Sequence, residues 1–99
     1  MDNIDRILNA IKTMFVDIGL EKAEVTNPRT GDVEINYVKG DLYCIPLYLK
    51  SLGFLIEYAD SLEDAQRLLY EDGDSFPLSL GEAAIIEALK REVMIEIET

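Results

Sequence analysis

Ile4, Ile7, Leu8, Ile11, Met14, Phe15 and Ile18 recur at steps of three and four, the spacing that lays side chains along one stripe of an α-helix. This predicts a helix over residues 3–18, capped by Asp2 or Asn3 and ended at Gly19, where a left-handed residue is needed. Beyond Lys22 the period falls to two. Val33, Ile35 and Tyr37 alternate with Glu34, Asn36 and Val38 as in a half-buried strand. Ala23 to Thr26 reads as the strand before it, joined through Asn27-Pro28-Arg29-Thr30-Gly31-Asp32. Gly40-Asp41, with Gly first, suits a two-residue type II′ hairpin turn into a third strand at Leu42 to Ile45.

Pro46 is compatible with the first position of a helix and Gly53 with its end, so Pro46 to Leu52 reads as a short helix of about two turns. Phe54, Ile56 and Tyr58 alternate with Leu55 and Glu57 as a fourth strand. Ser61 with Asp64, and Ser79 with Glu82, are capping pairs ahead of two helical patterns. The first holds Leu62, Ala65, Leu68 and Leu69 and runs to Tyr70; the second holds Ala83, Ile85, Ile86, Leu89 and Val93. Val93, Ile95 and Ile97 also alternate, so residues 94–99 fit either a continued helix or an edge strand. The order predicts an α+β fold: an N-terminal helix, a mostly antiparallel sheet of three to four strands, and two C-terminal helices packed on one face.

At 99 residues the chain has room for one domain spanning 1–99. Its 48% hydrophobic and 29% charged content is that of a globular protein and not of a disordered or membrane-spanning one. Charged residues interrupt the apolar pattern of the first helix, which excludes a secretory leader there. One cysteine and no histidine exclude an internal disulfide and the usual zinc, haem and catalytic-triad chemistry, and point to a reducing, cytoplasmic setting. Cys44, between Tyr43 and Ile45, reads as a buried, inert thiol.

Charge is the feature that bears on function. Twenty acids face nine bases for a net charge of −11, and the excess is uneven: residues 1–56 carry −2, residues 57–99 carry −9. Between Glu57 and Asp74 seven acids (Glu57, Asp60, Glu63, Asp64, Glu71, Asp72 and Asp74) meet only Arg67. Such a surface repels phosphate, which argues against direct nucleic-acid binding and against docking on anionic lipid. It attracts basic protein surfaces. Tyr58 and Tyr70 flank the segment and are of the residue type that anchors interfaces. The plainer reading is that these carboxylates are the solvated faces of amphipathic segments.

Glu71-Asp72-Gly73-Asp74 does not make a calcium loop, because Phe76, Pro77 and Ala83 stand where ligands and the turn glycine belong. No Walker loop, dinucleotide fingerprint or nucleophile elbow occurs. The sequence therefore predicts a non-enzymatic binding protein without metal or cofactor. Glu57, Tyr58, Asp60, Glu63, Asp64, Tyr70, Glu71, Asp72 and Asp74 would meet a basic partner, such as a nucleic-acid-handling enzyme. By analogy of size and charge alone, this is how immunity and anti-CRISPR proteins use nucleic-acid mimicry. The alternative is an assembly domain that self-associates through an apolar helix face or the C-terminal strand edge, leaving a homo-oligomer open and the charge serving solubility.

Overall fold

The computed structural model describes residues 3–98. Helix α1 (Asn3–Asp17) leads into β1 (Glu21–Thr26), β2 (Val33–Lys39), β3 (Leu42–Leu49) and β4 (Gly53–Ala59). A short α2 (Leu62–Gln66), a two-residue β5 (Glu71–Asp72), a 3₁₀ turn (Leu78–Leu80) and α3 (Glu82–Glu98) complete the chain. The strands form one five-stranded antiparallel sheet in the order β1-β2-β3-β4-β5. The α+β class stands, with five strands where the periodicity indicates three to four.

The apolar stripe of α1 does what its spacing predicts: Ile7, Ile11, Met14 and Phe15 are buried, each such burial stabilising by about 1.5–3 kcal/mol. They meet Ile85, Leu89 and Val93 of α3 and the sheet residues Tyr37, Cys44, Phe54, Ile56 and Tyr58 in one core. The end of α1 is a Schellman motif, in which Leu20 N–H donates to Phe15 C=O (2.9 Å) and Gly19 N–H to Val16 C=O (3.1 Å). Leu20 and Phe15 are both buried beside that joint.

The second face of the sheet is covered as well, and here the predicted one-sided packing is corrected. Val25, Ala59 and Ala65 form a separate cluster with Tyr43 and Tyr70. Strand alternation places Val25 and Ala59 opposite the face that carries Tyr37 and Tyr58. Thus α2 packs against β1 and β4 from the side away from α1 and α3. It is also shorter than its pattern. Ser61 caps it, its Oγ accepting from Asp64 N–H, but Leu68 turns left-handed at φ 59° and stops it. Leu69 N–H then donates to Asp64 C=O and Leu68 N–H to Ala65 C=O, a second Schellman motif with leucine where glycine is usual.

Pro46 lies inside β3, not at the head of a helix. Lys39 and Leu42 flank the Gly40-Asp41 turn as a pair, so even-numbered residues of β3 turn their backbone groups toward β2. The β2–β3 pairing stops at Tyr37–Cys44, while β3 stays paired to β4 as far as Leu49–Gly53. Pro46 therefore has no β2 partner from which to withhold a donor.

The remaining differences lie at the C-terminal side. Ser79 falls in the 3₁₀ turn, and α3 begins after Gly81, whose C=O accepts from Ile85 N–H. Helix α3 continues through Glu98, which removes the C-terminal strand edge as a surface for self-association. Residue 99 lies outside the described residues, as does Asp2, one of the two predicted caps of α1.

Candidate functional site

Tyr58 and Glu92 are the centre of the acidic end of the molecule. Tyr58 points from β4 toward α3 and is 8% exposed; its hydroxyl donates to Glu92 Oε2 at 2.5 Å. The other carboxylate oxygen, Oε1, accepts from Asp74 N–H at 2.8 Å. One carboxylate thus ties α3 both to β4 and to the segment leaving β5. The close approach requires Gly73: a Cβ there would lie 2.9 Å from both Glu92 Cδ and Tyr58 Cε2. Gly73 N–H donates to Ile56 C=O, which fixes the segment to the edge of β4.

A cleft of about 340 Å³ opens over this joint, lined by Tyr58, Asp60, Glu71, Asp72, Gly73, Asp74, Glu92 and Glu96. Six of its eight lining residues are acidic and, among the described residues, none is basic. It shares Asp60 and Glu96 with a larger depression of about 530 Å³ whose other walls include Lys39, Asp41 and Leu42. Among the described residues no three of His, Cys, Asp or Glu converge to hold a metal ion.

The electrostatics follow from burial beside these carboxylates. Desolvation, with the hydrogen bond and charge of Glu92, pushes the Tyr58 phenol well above its ordinary range. Cys44 sits opposite Tyr58 across the β3–β4 ladder. Burial, reinforced by the charges of Glu96 and Glu92, pushes its thiol up to about 12, so it stays protonated and unreactive near neutral pH.

The structure brings part of the predicted surface together. Tyr58, Asp60, Glu71, Asp72 and Asp74 share the cleft, although Asp72 also serves the opposite face. It stands directly across from Glu57 in the β4–β5 ladder, and so its side chain lies on the α2 side of the sheet. Glu57 is half-buried there, and its carboxyl is raised above the usual range by desolvation, then by the hydrogen bond and charge of Asp72 and by the charge of Glu34. Glu63 and Asp64 ride on α2 away from the cleft, and Glu63 pairs with Arg67 at 3.5 Å. Tyr70 donates its hydroxyl to Oδ1 of the fully buried Asn36 at 2.7 Å.

Sequence reasoning missed Glu92 and Glu96. They stand four residues apart on α3, between the core positions Leu89, Val93 and Ile97. Glu92 lies in the part predicted as helix but reaches the cleft only through the packing of α3 on β4, and Glu96 was readable only with residues 94–98 taken as helix.

Comparison with known proteins finds no matching family model, no matching curated protein and no matching solved structure. The class of protein rests on the fold and the site: a small α+β domain with an acidic cleft at one sheet edge.

Proposed function

We propose that this is a non-enzymatic binding protein whose cleft at the β4–β5 edge receives a basic surface of a partner protein, in the sharpest form a nucleic-acid-handling enzyme whose groove it occupies. The observation that supports this reading is the cleft lining: Asp60, Glu71, Asp74, Glu92 and Glu96 together, with no basic side chain among the described residues that line it. Carboxylates spread over the whole surface would serve solubility; carboxylates gathered around one concavity suit lysine and arginine side chains in specific positions. Glu92 is held by two hydrogen bonds, so part of the lining is ordered before a partner arrives. A cytoplasmic setting belongs to the same reading. Among the described residues no helix is long and apolar enough to cross a membrane.

The test is capture from lysate with two variants beside the native chain. One neutralises the cleft (Asp60→Asn, Glu71→Gln, Asp74→Asn and Glu96→Gln), and the other neutralises α2 (Glu63→Gln and Asp64→Asn). The reading expects a basic protein retained by the native chain and the α2 variant, lost from the cleft variant, and displaced by added duplex nucleic acid. Equal retention by all three chains would show that neither the cleft nor the acidic charge governs association, and equal loss from both variants would show that net charge and not the cleft does.

A further inference from the structure

Strand β1 is the terminal strand of the sheet, opposite the edge that carries the acidic cleft. Its free side has a definite hydrogen-bonding phase. Asn27 N–H donates to Asp32 C=O at 2.8 Å, in the same register as the β1–β2 ladder. Odd-numbered residues of β1 therefore turn their backbone groups toward β2, and Lys22, Glu24 and Thr26 turn theirs outward. These three side chains are exposed. Among the described residues, no hydrogen bond is made to the outward backbone groups of Lys22 and Glu24 by a loop or side chain.

We infer that β1 is a self-association edge, which pairs antiparallel with β1 of a second copy about a two-fold axis through Ala23 and joins the two sheets into one. The sequence of the strand selects this partner and this register. With the axis at Ala23, Lys22 of each copy stands directly opposite Glu24 of the other. Both residues have outward backbone groups, so each Lys22–Glu24 pair is also a hydrogen-bonded rung. An axis at Lys22 would set lysine against lysine, and one at Glu24 would set glutamate against glutamate. An axis between two residues would set outward backbone groups against inward ones. The other facing pairs within the strand are Ala23 with Ala23 on the axis, small enough to let the strands approach, and Glu21 with Val25 to either side, which opposes no like charges.

Charge favours this edge over the rest of the surface. Between Leu20 and Gly40 three bases face four acids, whereas residues 57–99 carry −9. Two copies therefore meet away from the strongly acidic end of the molecule and hold their acidic clefts at the far ends of the joined sheet. The α2 segment that packs on β1 also carries Leu62, Leu68 and Leu69 exposed, which supplies apolar surface that strand pairing alone lacks.

The experiment is sedimentation velocity of the full chain over a concentration series, with a charge swap. The native chain is expected to dimerise. Lys22→Glu and Glu24→Lys should each weaken the dimer roughly tenfold or more, because both rungs then oppose like charges. The double variant Lys22→Glu/Glu24→Lys restores opposite charges and should recover the dimer. Both substituted positions are exposed, and far-UV circular dichroism checks the folding of all three variants. A native chain that is monomeric at every concentration overturns the inference and leaves the edge to a strand of another protein. A dimer that survives both single variants, or one that the double variant fails to recover, overturns it by placing the interface elsewhere.

Discussion

Replacing Tyr58 by phenylalanine removes one oxygen and leaves the ring that fills the core. The hydroxyl donates to a carboxylate at 2.5 Å from an 8% exposed side chain, and a hydrogen bond to a charged group contributes about 1.5–3 kcal/mol. Glu92 keeps its bond from Asp74 N–H and is half-buried, so water can reach the freed oxygen in part. The expected loss is therefore near 2 kcal/mol, or about 8–16 °C in Tm for a domain of this size. Urea unfolding measures it, and a double-mutant cycle with Glu92→Ala separates the bond from general damage. The cycle should return a coupling of about 1 kcal/mol or more. Hydrogen exchange gives a second readout, since the Asp74 amide should lose protection more than amides in α1. A Tyr58→Phe chain within about 0.5 kcal/mol of native, with no coupling to Glu92, would refute the view that this bond holds α3 to the sheet.

Leu68→Gly should stabilise the protein by about 1 kcal/mol in urea titration, because Leu68 is exposed and left-handed at φ 59°. Gly53→Ala should do the reverse and cost more than about 2 kcal/mol, since Gly53 has φ 102° and a Cβ would approach Phe76 C to 2.7 Å and Pro77 Cα to 2.8 Å; calorimetry reads the drop in Tm. Glu57 has a raised folded-state pKa, so the native state binds more protons than the unfolded one between the two values. Stability contributed by this group falls as pH rises through that window. Glu57→Gln should therefore raise stability at neutral pH, by about 0.2–1 kcal/mol for relief of a like-charge cross-strand pair, and flatten the acid side of a stability–pH curve. Tyr70→Phe strands the buried Oδ1 of Asn36 and should lower stability by about 1–3 kcal/mol, seen as an earlier urea midpoint at unchanged m-value.

What the chain showed in advance depended on whether local pattern and long-range pairing agreed. Helix α1 was legible because stripe, cap and Gly19 all point the same way. Pro46 misled because a proline at a helix start and a proline on an unpartnered strand look alike locally; the departure of β2 from β3 decides between them, and no short window contains it. Strand β5 left no signal: Glu71-Asp72 has no apolar alternation and exists through pairing with Glu57 and Tyr58. At the C-terminus Val93 and Ile97 satisfy a period of two and a period of four alike. Ile95 breaks the tie, at 61% exposed while Val93 is buried. The cleft was half legible for the same reason. Its β4 and β5 members are close in sequence, whereas Glu92 joins them only once α3 is folded back and Glu96 only once α3 is also continued past Val93.

The early end of the β2–β3 pairing divides the molecule mechanically. Three residue pairs join β2 to β3, against six between β1 and β2 and seven between β3 and β4. The sheet thus has a seam, with the β1–β2 hairpin on one side and the β3–β4–β5 unit, bearing the cleft, on the other. A seam of this kind is where partial opening begins. The amides of Val33 and Ile35 face it and should exchange quickly, although those of Glu34 and Asn36, turned to β1, exchange slowly in the same strand. Tyr37, Val25 and Asn36 keep the hairpin packed on the core, on Ala59 and on Tyr70, so opening is confined to its turn end beyond Val25 and Glu34, and the Tyr58–Glu92 joint at the other edge of the sheet is left undisturbed.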